Sequence, residues 1–119
     1  MTPVCADLAV TDFFHLLADD TRLGLLQLLA ARSELCVCEL VSALGESQPK
    51  VSRHLALLRS AEVVSDRRQG AWVHYRLHPG LASWQRQVLA LTLQEPVSQK
   101  ALQERLARMQ KARPGNCTA

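Results

Sequence analysis

Apolar positions recur along most of this chain at helical spacing, and at one place the period changes to that of a strand. Leu8, Phe13, Leu16 and Leu17 share one face and predict a first helix over residues 6–17. The pattern restarts at "ADDTRLGLLQLLAA", where Asp19 or Asp20 can cap a second helix by accepting its free backbone N–H groups. Leu23, Leu25, Leu26, Leu28 and Leu29 are too dense for one exposed helix face, so this helix is expected at the centre of the core. "ELCVCELVSALG" reads as a short third helix that Gly45 ends in the left-handed conformation.

In "SQPKVSRHLALLRSA", Ser47 is the expected N-cap and Pro49 is tolerated in the first turn, where its missing N–H would be unpaired anyway. Val51, Leu55, Leu58 and Ala61 face inward. Gln48, Lys50, Ser52, Arg53, His54 and Arg59 cover the rest. The β-branched and aromatic run "VVSDRRQGAWVHYRL", broken at Gln69-Gly70, predicts a hairpin with strands over about 63–67 and 72–77. Pro79 opens an expected helix over about 80–94, and Pro96 separates it from a last amphipathic helix over about 97–111. One domain, 1–111, with a flexible tail over 112–119, is the expected organisation.

The fold class is thus mainly α with a small β-hairpin, and helix, short turn, helix, hairpin is the order of a winged helix-turn-helix. The second helix of such a pair suits the major groove, which is wide enough for an α-helix and presents a distinct pattern for each base pair. Its N-terminal turn offers free N–H groups and a favourable dipole to phosphate. The hairpin tip, Arg67-Arg68-Gln69-Gly70, can lay cations along the adjacent backbone or minor groove.

Charge sharpens this picture. The net charge of +3 divides unevenly: residues 1–46 carry two basic against seven acidic side chains, whereas residues 47–76 carry six basic against two. A polyanion would therefore dock on the middle of the chain. At 119 residues, 48% hydrophobic and 21% charged, the composition is that of one globular domain. No apolar run approaches the ~18 residues of a membrane span. The start "MTPVCADLAV" lacks a basic region before an apolar one, so the expected location is cytoplasmic, without membrane association. Cysteines stay reduced there, and the four in this chain are better explained by metal binding, packing or redox chemistry than by a disulfide framework.

The segments "ELCVCEL", "SQPKVSRHLALLRSAEVV" and "DRRQGAWVHYRL" resemble the signature segments of the ArsR/SmtB family of metalloregulatory repressors over about residues 12–78. That resemblance implies a homodimer that holds double-stranded operator DNA and releases it on binding a toxic metal or metalloid ion. Carried onto this chain, it places Ser47, Gln48, Lys50, Ser52, Arg53 and His54 toward DNA, with Arg67, Arg68 and Gln69 in the wing. The first and fifth helices would form the dimer, with Phe13, Phe14, Leu17, Trp84, Val88 and Leu91 in its apolar seam. Cys36 and Cys38 resemble the third-helix sensor site of the arsenic-sensing and cadmium/lead-sensing branches, which makes As(III) or Sb(III) the expected inducer. Thiolates are the fitting ligands for such soft ions.

A third cysteine found three residues after the pair in some arsenic sensors is Val41 here, which leaves Cys5 or Cys117 as candidate third ligands. A three-thiolate site would equally suit cadmium or lead. The family's zinc site on the fifth helix has no counterpart, since "HPGLASWQRQVLALTLQE" holds no Asp-x-His or His-x-x-Glu spacing.

The spacing of the pair raises its own problem. Residues i and i+2 of an α-helix lie about 200° apart around its axis, so two such thiols face away from each other. Either the pair lies ahead of the helix in an extended turn, or ion binding unwinds the first turn; unwinding is the favoured expectation. A repressor sensing cysteine oxidation is a rival within DNA binding. A thiol enzyme is disfavoured, because the chain has neither a Cys-x-x-Cys motif nor a phosphate-type loop around an activated cysteine.

Overall fold

A computed structural model describes residues 8–109. The order is α1 (Val10–Leu17), α2 (Asp20–Ala31), β1 (Leu35–Cys36), α3 (Val37–Leu44), α4 (Gln48–Ser60), β2 (Val64–Gln69), β3 (Trp72–Leu77), α5 (Ser83–Thr92) and α6 (Pro96–Met109).

α2 is the central helix that its dense leucines predict: Leu25, Leu26, Leu28 and Leu29 are all buried. Asp19 caps it, with its carboxylate accepting from the N–H groups of Thr21 at 2.9 Å and Arg22 at 3.0 Å. The Arg22 N–H bond is the main reason that this carboxyl is held below its ordinary range. Gln27 is buried in the same helix and stays satisfied because its Nε2 donates to Thr92 Oγ1 of α5 at 3.1 Å. Phe13 of α1 meets Trp84 of α5 edge to face with ring centroids 5.2 Å apart. The first and fifth helices therefore flank the core side by side.

α3 and α4 form the expected helix pair. Gly45 caps α3 at φ +67°, a conformation glycine adopts at no steric cost. Ser47 caps α4, its Oγ accepting from Lys50 N–H at 3.4 Å, and Pro49 sits in the first turn. Val51, Leu55 and Leu58 anchor α4 and are fully buried, each contributing roughly 1.5–3 kcal/mol of apolar burial. α6 lies along α3 and holds its C-terminal end: Arg108 Nε donates to Ala43 O at 2.9 Å, and Ser42 Oγ donates to Arg108 O at 3.2 Å. A cation suits the negative end of the helix dipole.

The sheet has three strands in the order β1-β3-β2, all antiparallel. The hairpin pairs Val64 with Leu77 at its base and Gln69 with Trp72 at its tip, where Gly70 takes φ +63°. β2 runs to Gln69, two residues further than expected. β1 was not expected at all, because a two-residue strand is too short to show a period. α1 starts at Val10 rather than residue 6. α5 starts at Ser83 rather than residue 80, since His78 Nδ1 accepts from Gly80 N–H at 2.9 Å and holds a turn around Pro79. Pro96 is the first residue of α6, not a separator before it, and Glu95 caps that helix through the N–H groups of Val97 and Ser98. Among the described residues no helix is long and apolar enough to cross a membrane.

Candidate functional site

Cys36 and Cys38 stand at the start of α3, in two different backbone states. Cys36 is the N-cap, extended at φ −82° and ψ 163°, while Cys38 lies within the first turn. Because only one of them is helical, their sulfurs converge to 3.2 Å. The two sulfurs thus approach each other with α3 intact, so closeness of the pair does not itself require an unwound first turn. Glu39 stabilises the arrangement, its Oε1 accepting from Cys36 N–H at 2.9 Å and closing a capping box in which cysteine stands where serine usually does. Burial is the main influence on the Cys36 thiol and pushes its pKa up. The pair is half accessible, with Cys36 buried and Cys38 partly open. Among the described residues no three His, Cys, Asp or Glu side chains converge as a metal cage. Cys5 and Cys117 lie outside those residues.

Beside the pair runs a groove of about 380 Å³ between α4 and the hairpin, lined by Gln48, Ser52 and Arg59 of α4, Asp66 and Arg68 of β2, Val73 and Tyr75 of β3, and Val37. Val37, the residue between the two cysteines in sequence, is the α3 residue that lines this groove. Of the helix residues expected at DNA, Ser47, Gln48, Ser52 and Arg53 are exposed. Lys50 is half-buried and bridges to Glu46 at 3.1 Å. His54 is turned inward, its side chain only 16% exposed, with Nδ1 3.5 Å from Arg22 and Nε2 4.0 Å from Asp19. It fits a role in holding α4 against α2 better than one in reaching a base edge.

The wing residues divide between the two faces of the hairpin, because side chains alternate along a strand. Arg68 lines the groove beside α4. Arg67 and Gln69 occupy the outer face, where Arg67 Nε donates to Glu34 Oε2 at 3.0 Å, its Nη2 donates to Glu34 Oε1, and its Nη1 donates to Gln69 Oε1 at 2.9 Å. The Arg67 guanidinium in turn holds the Glu34 carboxyl below its ordinary range. Sequence reading missed Glu34, which lies 33 residues from Arg67 and is brought to it only by β1. Arg59 Nη1 donates to Asp66 Oδ2 at 3.0 Å, which ties α4 to the hairpin.

The residues expected in an apolar seam also separate. Phe13 and Leu17 belong to the chain's own core, and Trp84 and Val88 are partly buried against it. Their positions follow from the aromatic contact that packs α1 onto α5. Phe14, 47% exposed, and Leu91, 61% exposed, remain on the surface together with Val10.

Comparison with known proteins gives a consistent result. The family model described as "Bacterial regulatory protein, arsR family" matches residues 19–66, from the α2 N-cap into β2. The arsenic resistance transcriptional regulator ArsR2 of Pseudomonas putida is 57% identical over 83 residues, which are 70% of this chain and 72% of the relative. The arsenical resistance operon repressor of Escherichia coli K12 is 55% identical over 76 residues, 64% of this chain and 65% of the relative. Among solved structures, the AntR antimony-specific transcriptional repressor superposes with a TM-score of 0.64 at 34% identity, covering 79% of this chain and 80% of that one.

Proposed function

The chain belongs to the arsR family of bacterial regulatory proteins, and on that premise we propose a homodimeric repressor that releases its operator when As(III) or Sb(III) binds the Cys36 and Cys38 thiolates. At the coarser level it is a DNA-binding transcriptional regulator and not an enzyme. The observation that carries the finer reading is the 3.2 Å sulfur separation at the N-terminus of α3. Two sulfurs on one ion, at bonds like the ~2.3 Å of a zinc thiolate, stand no more than about 4.6 Å apart. The pair meets that limit without any change in the helix, and the soft ion supplies a thiophilic centre that two sulfurs can chelate.

The DNA-reading surface would be the exposed start of α4, with Ser47, Gln48, Ser52 and Arg53, and the groove wall carrying Arg68. A two-fold dimer matches an inverted-repeat operator, with one half-site per subunit. Val10, Phe14 and Leu91 supply the exposed apolar surface on the paired helices α1 and α5 that such a dimer needs. A third sulfur would come from Cys5 or Cys117.

Coupling is a difference in ion affinity between free and operator-bound protein, typically about 1–3 kcal/mol. Titration of arsenite into a complex with fluorescently labelled operator should lower the anisotropy to that of free DNA. The same titration of a Cys36→Ser, Cys38→Ser variant should leave it unchanged. Equal release from both proteins would remove the thiol pair from the account.

A further inference from the structure

We propose that Glu34 is the positioning residue that transmits ion binding at the thiol pair to the wing, through its paired contact with Arg67. This rests on the reading of Cys36 and Cys38 as the sensor. The sheet register supplies the route. Cys36 of β1 pairs with His74 of β3, and His74 pairs with Arg67 of β2, so one cross-strand row joins a sensor cysteine to a wing arginine. Glu34 stands directly ahead of β1, two residues before Cys36. Its carboxylate takes both arms of the Arg67 guanidinium, with the Nε contact at 3.0 Å, and lies 4.0 Å from His74 Nδ1. A two-armed carboxylate–guanidinium contact fixes orientation as well as distance, so a shift of the thiol segment is passed on as a shift of the hairpin.

The alternative route, along α3 into α4, is opposed at the far end of α3. There the Arg108 guanidinium on Ala43 O and the Ser42 hydroxyl on Arg108 O clamp the helix to α6. At the near end no such clamp exists on the wing side except Glu34 itself among the described ion pairs. The 27% exposure of the Glu34 side chain and 51% of Arg67 make the pair a weak contributor to stability. Its geometry, not its strength, suits it to transmission. The two linked states are the hairpin held on β1 by the pair, which binds operator, and the hairpin displaced with the thiol segment when the ion is bound.

The experiment measures operator affinity with and without saturating arsenite for the parent, Glu34→Gln and the charge-swapped double variant Glu34→Arg, Arg67→Glu. Arsenite affinity of each free protein is followed separately by thiolate-to-arsenic ultraviolet absorbance. The expected parent ratio lies in the roughly 5–150-fold range of such couplings. Glu34→Gln should bind arsenite as the parent does yet show a ratio below about 3-fold, and the charge swap should restore most of the parent ratio. A parent-like ratio in Glu34→Gln, or no recovery in the charge swap, would overturn this route while leaving the sensor reading intact. A parent that binds arsenite and keeps its operator would overturn both.

Discussion

Arg67 and Arg68 are neighbours in sequence and opposites in use. Arg68 faces α4 across an open groove and makes no ion pair among the described residues. Arg67 points to the other side of the hairpin and is taken up by Glu34. The strand's two-residue period makes this division, and a reading of basic residues as one cluster cannot see it. One face of the wing keeps its arginine outside the described ion pairs, and the other is fastened through Glu34 to the segment that carries the cysteines. On the proposed reading, Arg67 and Arg68 are therefore expected to contribute unequally to DNA affinity.

The comparison can be broken most severely through β1. Leu35 is buried and pairs with Tyr75. Leu35→Ala should cost about 2–5 kcal/mol in urea unfolding, the usual range for a buried leucine, and should loosen the outer face before the groove. A loss below about 1 kcal/mol would mean that the strand does not fasten the thiol segment. The next effect is on DNA. Arg68→Ala should lower operator affinity and flatten the dependence of log K on log salt by about 0.9, the signature of one lost phosphate contact. Arg67→Ala should leave that slope close to the parent's; equal flattening by both substitutions would erase the distinction between the faces.

Gly70 serves both faces, since its φ of +63° lets the hairpin tip turn. An added Cβ meets no atom within 4 Å, so the cost of Gly70→Ala is conformational only. It should be about 1–2 kcal/mol by chemical denaturation, with both arginine effects weakened together. The smallest effect belongs to the anchor of α4 on α2. Asp19 has its pKa lowered from the ordinary 3.8, mainly by the Arg22 N–H bond. A carboxyl depressed in the folded state contributes stability above its unfolded pKa and loses it as pH falls through the folded value. Asp19→Asn keeps the cap but removes that charge. It should be less stable than the parent at neutral pH, by less than about 1 kcal/mol, with the gap closing below the ordinary 3.8. A gap that stays constant down to low pH would contradict the assignment.

Most of the frame was legible in the sequence because it rests on local signals. The dense leucines of α2, the Ser47 and Gly45 caps, and the period change at the hairpin each name their element from a few adjacent residues. The site was legible only in its residue types. That Cys36 is extended and Cys38 helical depends on β1, which exists because Leu35 and Cys36 find partners about forty residues away at Tyr75 and His74. The same strand brings Glu34 to Arg67, and no sequence spacing announces that contact. His54 shares the exposed side of α4 by helical spacing, yet the Arg22 and Asp19 side chains draw it inward. Phe13 and Phe14 are adjacent aromatics of one helix, and only the position of Trp84 decides which of them is core.

The central claim, a thiophilic ion held between Cys36 and Cys38, is tested most directly by X-ray absorption at the arsenic edge on arsenite-loaded protein. The account predicts at least two sulfur neighbours on arsenic in the parent, and their loss in the Cys36→Ser, Cys38→Ser variant. Coordination by oxygen alone in the parent, or a sulfur shell that survives in the variant, would contradict it.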